Sequence, residues 1–273
     1  MSQKDIPHIL NHKNYNEHSV FLPENLLREA RRQKDLGDCK VPEICVLDPD
    51  GDLATYLITK GAIRSNCWAC YHSSLYTFEL DGTEIGIIPF VVGAPYAVLV
   101  AEQLFVSGCG LLVSVTSAGI LTRTGSNKRF ALLTESIRDE GTSYHYLPKD
   151  HSSTLSQDIL KVLDDASTSS AALWIHAKSW TTDAPYRETQ TAISRMQEMG
   201  VLCVEMEASA LYAFAKAKSK KVVCFAHLTN TMAQNEGDFE KGEHFGSIET
   251  LELIREVMKK MMPVNRQSDE HQV

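Results

Sequence analysis

The stretch Gly200–Asn230, GVLCVEMEASALYAFAKAKSKKVVCFAHLTN, combines three patterns that decide the fold. Apolar residues at 201–204 are too few for a helix and predict a short buried strand. From Met206 the apolar residues recur at helical spacing, and lysines close the C-terminal end of this predicted helix. The continuous apolar run 222–226 predicts a second strand, in a sheet covered on both faces. A strand, a helix and a strand in succession indicate an α/β fold.

Two glutamates, Glu205 and Glu207, flank Met206 where the first strand meets the helix. Open α/β sheets bind ligands at such junctions. Acidic residues in a first helical turn also complement the helix dipole, which is the simpler explanation for both. On a helix the two side chains point about 200° apart, so we expect only one of them to face a ligand.

Alternating strand and helix patterns fill the rest of the chain. They predict one three-layer α/β domain over residues 1–273, with a central mixed β-sheet flanked by helices. A polar arm (1–19) precedes this domain and a polar tail (264–273) follows its last helix. The helices are predicted over 22–34, 96–106, 153–163 and 247–261, and the other strands over 43–47, 70–80, 84–91, 111–115, 130–136 and 171–177.

Charge and hydropathy limit the classes of function. The 273 residues include 27 Lys and Arg against 35 Asp and Glu, a net charge of −8. This balance argues against a nucleic-acid-binding or membrane-surface protein. No apolar run approaches the ~18 residues of a membrane span, and the N-terminal residues lack a signal-peptide core. We therefore expect a cytoplasmic protein with a small-molecule partner.

The seven cysteines are odd in number, and most lie in apolar runs, which favours reduced thiols in the core. Cys67-Trp-Ala-Cys70 has the spacing of a redox pair or of half a zinc site. No second pair of ligands lies at metal-site spacing, so core cysteines without a redox role are the favoured interpretation. We predict no metal and no organic cofactor.

The segment VEMEASALYAFA resembles the VEMEA-type motif of the nucleoside phosphorylase and nucleosidase superfamily, which includes uridine phosphorylase and hexameric purine nucleoside phosphorylase. The resemblance covers nearly the whole chain and is strongest over 93–119, 138–145 and 200–230. It implies cleavage of the N-glycosidic bond of a nucleoside. In this family the methionine packs on the sugar and the second glutamate binds the ribose hydroxyls, roles that carry over to Met206 and Glu207. Glu205 is included as a substrate-binding candidate beside them.

Two more segments resemble binding elements of that family. Thr116-Ser-Ala-Gly119 follows a buried strand and is similar to the R-x-G-[ST]-x-G loop of phosphorylases and the GSAG loop of nucleosidases. We expect Thr116, Ser117 and Gly119 to approach an anion or a sugar. Asn230 follows the second strand of the motif, where the resemblance implies a catalytic hydrogen bond to the leaving base. A turn that ends the strand at this asparagine is the alternative.

Two further segment resemblances suggest residues that contact the base and the 5′-hydroxyl of the substrate. The segment 181–188 resembles one that precedes the base pocket, so Tyr186 and Arg187 either contact the base or lie in a surface turn at Pro185. KDIPHIL resembles the start of uridine phosphorylases, which implies that His8 reaches the active site of a neighbouring subunit. A homodimer or a hexamer made of such dimers follows from this.

The sequence leaves the nucleophile open between phosphate and water. The phosphate-binding arginines of the family align here with Leu53 (or a neighbour in the predicted turn Asp48–Asp52), Tyr71 and Ser114, which favours water. The closest segment likenesses are to uridine phosphorylases, and Asn230 cannot supply a proton, which favours phosphate. We predict phosphorolysis with inorganic phosphate as co-substrate, with hydrolysis or a non-catalytic nucleoside-binding relative as alternatives. Substitute cations are Arg64, Arg123, Arg129, Arg138 and Arg187.

Overall fold

The computed structural model of the protein describes residues 7–11, 13–122, 128–165, 173–231, 239 and 241–262. Within them the helices are α1 (Pro23–Lys34), α2 (Asp52–Thr59), α3 (Ala94–Val106), α4 (Gln157–Asp164), α5 (Gln190–Glu198), α6 (Ala208–Lys218) and α7 (Ser247–Met261). The strands are β1 (Ile44–Asp48), β2 (Ile63–Arg64), β3 (Tyr76–Leu80), β4 (Thr83–Pro89), β5 (Leu111–Ile120), β6 (Phe130–Asp139), β7 (Ser152–Thr154), β8 (Trp174–Thr182), β9 (Cys203–Glu205) and β10 (Lys221–Asn230).

The strands form one mixed sheet, as predicted. Strands β4, β1, β5 and β10 are parallel neighbours, and β3 and β2 extend the β4 edge in antiparallel pairs. From β10 the pairing continues through β6, β8 and β9 and returns to β5. This part of the sheet is therefore closed like a barrel, whereas β1 to β4 form an open extension.

Strand β1 lies between β5 and β4, where the open part joins the closed part, and is buried along its whole length. Cys45 and Leu47 pack into the large apolar cluster beneath α3 and α6. Ile44 and Val46 point the opposite way, into a second cluster that includes residues of α2 and α7. Because side chains alternate across a strand, this pattern places helices on both faces of the sheet and confirms the predicted layering here.

Helix α6 is apolar around its circumference rather than along one stripe. Its residues from Ala208 to Phe214 are all buried, and Tyr212 and Phe214 are among the largest fully buried side chains. A helix of this kind belongs in the core. The Tyr212 hydroxyl donates to the Leu133 carbonyl of β6 and accepts from the Cys224 amide of β10. Helix α6 is therefore fixed against the barrel, and the start of the helix is held with it.

Several predicted boundaries were wrong, three of them near the middle of the sheet or its edge. Residues Thr116–Gly119 continue strand β5 instead of forming a loop, because β10 and β9 both pair with them. The predicted helix 153–163 begins at Gln157, since Ser152–Thr154 pair with β6 as a strand. The strand predicted from residue 70 begins at Tyr76. Helix α2 was not predicted, because the polar run before it indicated only a turn.

The cysteine prediction was right for the core and wrong for one pair. Cys45, Cys109, Cys203 and Cys224 are buried free thiols, as is Cys70. Cys67, by contrast, forms a disulfide with Cys39. The two cysteines of the CxxC motif therefore differ, because Cys67 is disulfide-bonded and Cys70 is a free thiol. No helix in the described part of the chain is long and apolar enough to cross a membrane.

Candidate active site

The carboxyl ends of the parallel strands β1, β5 and β10 lie side by side, which is where open α/β sheets bind ligands. Leu47 pairs with Ser114, and Ser117 pairs with His227, so the ends of the three strands are in register. Strand β9 meets the same edge from the other side, because Gly119 is opposite both Val204 and Asn230. The segments predicted to form the site are thus brought together by the sheet itself.

Glu205 at the end of β9 is a structural carboxylate. Its Oε1 accepts hydroxyl hydrogen bonds from Thr181 at 2.5 Å, Ser179 at 2.9 Å and Ser136 at 3.2 Å. Its Oε2 accepts the backbone N–H groups of Glu207 and Ala208, both at 2.7 Å. With both oxygens bonded inside the fold, Glu205 caps helix α6, and this geometry replaces the predicted contact with substrate.

Glu207 precedes the first residue of α6 and differs from Glu205 in its partners. Its Oε1 accepts the Gly93 N–H at 2.7 Å, and its Oε2 accepts the Met206 N–H at 3.3 Å. It is only 2% exposed. Burial and the nearby charge of Glu205 raise the pKa of Glu207, opposed by the bonds from Gly93, Thr116 and Met206. Burial therefore favours the neutral form of this carboxyl group.

The Gly93 contact was missed in the sequence, although Gly93 immediately precedes helix α3. Gly93 has φ +91°, a conformation that favours glycine, and its N–H is turned toward Glu207 across 114 residues of chain. Met206 is half-buried beside Glu207. Asn230 is buried at the end of β10, where its Nδ2 donates to the Thr229 hydroxyl at 3.1 Å.

A second cluster lies at the ends of β1 and β5. Asp50 Oδ2 accepts both the Ser117 N–H at 3.0 Å and the Ser117 hydroxyl at 2.6 Å. Lys241 Nζ lies 3.3 Å from the same oxygen and 2.5 Å from Asp52 Oδ2. Thr116, His227 and Phe245 line the same narrow pocket. Sequence reasoning found Ser117 but neither aspartate nor Lys241, which lies in a polar segment with no recognisable pattern.

Two buried titratable groups adjoin this cluster. Burial raises the pKa of Asp48 to about 7, although its carboxylate accepts backbone bonds from Ala54 and Gly51. Burial and the positive charges of Lys241 and Arg129 lower the pKa of His227 to about 4, so this imidazole is neutral at pH 7. Among the described residues no group of three or more potential ligands is arranged to hold a metal ion.

None of the three residues that align with the family's phosphate-binding arginines carries a positive charge. Leu53 packs in the apolar cluster beneath α2, and Ser114 is buried in β5. The Tyr71 hydroxyl donates to Gln33 Oε1 at 2.7 Å on the surface. The cation at the pocket is instead Lys241, whose side chain is only 9% exposed.

The arginines that were proposed as substitutes either form hydrogen bonds within the fold or are not placed in the pocket. Arg129 is the nearest, and its Nη1 donates to the Lys241 carbonyl at 3.3 Å. Arg138 is buried and donates to Ser143 Oγ at 2.8 Å and to the Pro148 carbonyl at 2.7 Å. Arg64 is on the outer strand β2, and Arg123 lies outside the described residues.

The candidates for the base and the 5′-hydroxyl are at the surface of the single chain. Tyr186 and Arg187 form a short 3₁₀ helix, and Tyr186 is 99% exposed, which matches the surface-turn alternative. His8 is exposed in a 3₁₀ helix of the arm. The arm lies against its own chain, where Lys13 Nζ is 3.0 Å from His145 Nδ1.

Comparison with known proteins identifies the family. The profile described as the phosphorylase superfamily matches residues 52–260. The chain belongs to this superfamily. A guanosine phosphorylase of Halorubrum lacusprofundi is 25% identical over 138 residues, which are 50% of this chain and 57% of that relative. The aligned region therefore spans little more than half of the curated relative.

Solved structures of phosphorylase-superfamily proteins have the same fold. A uridine phosphorylase from Vibrio fischeri ES114, complexed with 6-hydroxy-1-naphthoic acid, superposes with a TM-score of 0.66 at 18% identity, covering 80% of this chain and 90% of that one. A second structure of that enzyme gives the same score over 81% and 92%. These structural similarities confirm the α/β fold with its mixed sheet, and the profile match over 52–260 confirms the resemblance to the superfamily.

Proposed function

We propose that the protein cleaves the N-glycosidic bond of a nucleoside by phosphorolysis, releasing the free base and a pentose 1-phosphate. Membership of the phosphorylase superfamily supports this, as do the guanosine phosphorylase relative and the uridine phosphorylase fold. The observation that carries the proposal is the environment of Glu207. A buried carboxylate at the ligand-binding edge, whose bonds within the described part of the chain come from backbone N–H groups and Thr116, is placed to receive sugar hydroxyls.

In the proposed reaction a phosphate oxygen attacks the anomeric carbon while the bond to the base nitrogen breaks. The bonding electron pair leaves with the base, and the sugar carries positive charge in the transition state. Glu207 stabilises that charge and holds the hydroxyls, while Met206 packs on the sugar. Asn230 donates a hydrogen bond to the leaving base through its amide. Phosphate binds at Ser117 with Lys241 as its counter-charge.

A second candidate, hydrolysis, is favoured by one contact. The Asp50 carboxylate already accepts the two Ser117 donors that a phosphate oxygen would use. A carboxylate at this position would also orient water. We nevertheless favour phosphorolysis, because the matching family and both kinds of named relatives are phosphorylases.

Product identity tests the proposal. A panel of purine and pyrimidine nucleosides is incubated with and without inorganic phosphate, and the sugar product is identified by mass spectrometry. We expect pentose 1-phosphate that forms only when phosphate is present. Free pentose released at the full rate without phosphate would establish hydrolysis, and tight binding without turnover would establish a non-catalytic relative.

We further propose that the protein works in the cytoplasm, in nucleoside salvage, as a homodimer or a hexamer of dimers. In such an assembly the arm would bring His8 toward a neighbour's site, and Tyr186 and Arg187 would contact the base once the subunits associate. The exposure of all three in the single chain is compatible with this arrangement.

A further inference from the structure

We infer that Asp50 is an internal competitor of inorganic phosphate: its carboxylate occupies the anion position on Ser117, and phosphate binds only after displacing it. The inference rests on the proposed phosphorolysis. It identifies Asp50 as the residue that limits the affinity for phosphate.

The donors at Ser117 are of the kind that bind anions. A backbone N–H and a hydroxyl converge on one oxygen, Asp50 Oδ2, at 3.0 Å and 2.6 Å. An ammonium group, Lys241 Nζ, approaches the same oxygen at 3.3 Å. A neutral N–H, a neutral O–H and a cation around one anionic oxygen would serve a phosphate oxygen equally well.

Phosphate and the Asp50 carboxylate cannot share this position. Both are anions, and both need the same two donors of Ser117. With Asp50 bound, the ammonium group of Lys241 is also paired with two carboxylates, those of Asp50 and Asp52. A phosphate dianion approaching this closed arrangement would meet two carboxylates and no unpaired donor on Ser117.

The turn that carries Asp50 can release the side chain without unfolding. The Asp48 carboxylate fixes the turn by accepting the N–H groups of Gly51 and Ala54, at 3.1 Å and 2.8 Å. Asp50 itself is tied to the fold by its contacts to Ser117 and Lys241, and its side chain is 32% exposed. Rotation of this one side chain toward solvent therefore opens the Ser117 donors, while Lys241 stays with Asp52.

The test compares two isosteric variants of the full chain, Asp50→Asn and Asp52→Asn. Each removes one carboxylate that pairs with Lys241, but only Asp50 occupies Ser117. Binding of inorganic phosphate alone is measured by isothermal titration calorimetry, without nucleoside. We expect Asp50→Asn to bind phosphate about tenfold more tightly than the wild type, the scale of one charge-assisted hydrogen bond, and Asp52→Asn to gain less than about threefold.

A gain below about threefold in Asp50→Asn, or an equal gain in the two variants, overturns the inference, because general charge repulsion would then explain the result. Asp50→Ala repeats the comparison with no acceptor on Ser117, and circular dichroism checks that each variant is folded. Tighter phosphate binding in Asp50→Asn together with purely hydrolytic products would leave the competition intact and refute the proposed phosphorolysis instead.

Discussion

Glu205 and Glu207 are separated by one residue, yet their carboxylates have different tasks. Glu205 is saturated by five donors within the fold, whereas the partners of Glu207 are two backbone N–H groups and Thr116. Strand β9 ends at Glu205 and helix α6 begins at Ala208, so the chain turns between the two glutamates. That turn, rather than helical periodicity, separates their directions.

The first prediction concerns this division. Glu207→Gln keeps the shape of the side chain and removes the charge opposite the sugar, so we expect kcat/KM to fall by the equivalent of about 2–4 kcal/mol. Stability should fall less than in Glu205→Gln, because the amide loses one of its two backbone N–H bonds and replaces a buried carboxyl group whose charged form is disfavoured by burial. Steady-state kinetics and thermal unfolding measure the two effects.

Glu205→Gln is the matched control. We expect it to lower the stability of the fold more than it lowers kcat/KM. An amide nitrogen facing hydroxyl or N–H donors loses hydrogen bonds inside the fold, so we expect unfolding to become easier by about 1–3 kcal/mol. Wild-type activity in Glu207→Gln would remove Glu207 from the mechanism.

The second prediction concerns Asp48, whose pKa is raised from 3.8 to about 7 by burial. A carboxyl group with a raised folded-state pKa holds its proton longer when folded, so its contribution to stability is complete below pH 3.8 and is lost as the pH rises to about 7. The full loss is on the order of 4 kcal/mol. Asp48→Asn should reduce this decline in the free energy of unfolding, followed by urea titration at each pH.

Only the difference in the free energy of unfolding between the wild type and Asp48→Asn reports the titration of Asp48. His227, with its pKa lowered to about 4, acts in the opposite sense over part of the same pH range, because the unfolded imidazole binds a proton first. Parallel pH profiles of the two proteins would contradict the raised pKa of Asp48.

At the scale of elements, the connection from β1 into α2 depends on one glycine. Gly51 has φ +79°, and a Cβ there would collide with the ring of Phe90. Gly82 in the β3–β4 hairpin has φ +77° and open space around it. We expect Gly51→Ala to destabilise the fold by about 1–2 kcal/mol more than Gly82→Ala, because both share the backbone strain and only Gly51 adds the collision. Equal losses in denaturant unfolding would show that the Phe90 ring moves aside freely.

Elements determined by local pattern were predictable, and those determined by distant partners were not. Strands β3 and β4, on either side of Asp81-Gly82, and helices α1, α3 and α7 were predicted from local sequence patterns. The extension of β5 through Thr116–Gly119 depends on pairing with β10 and β9, about a hundred residues away. Small and hydroxyl residues carry no local signal for such a strand.

The same reason limits what the sequence says about the site. Glu207 and Asn230 belong to one continuous motif and could be named from it. The contact between Asp50 and Ser117 joins residues 67 positions apart, and Lys241 reaches Asp52 across 189. Those contacts exist only because three parallel strands end in register.

At the scale of the whole molecule, the Cys39–Cys67 disulfide closes a segment with a sequence separation of 28. A cross-link of this span restricts the unfolded chain, so we expect Cys39→Ser to lower the free energy of unfolding by about 3 kcal/mol under non-reducing conditions. Reductant should lower the wild type to the level of the variant and leave the variant unchanged. Identical stability of both proteins without reductant would argue that the bond does not form in solution.

The last prediction concerns assembly, which the single chain suggests through its exposed apolar surface. Phe21, just before α1, is 72% exposed and lines an open groove with Leu22 and Leu99. Burying such a groove against a second copy is favourable and would also bring the arm near a neighbour. We expect a dimer or hexamer at micromolar concentration in sedimentation, weakened about tenfold or more by Phe21→Asp, the change expected for one buried interface charge. Ile63 on β2 is equally exposed, at 71%, but lies on the far edge of the sheet, so Ile63→Asp should leave the assembly unchanged. A wild-type monomer at micromolar concentration would contradict the shared site, because His8 could then not reach the active site of a neighbouring subunit.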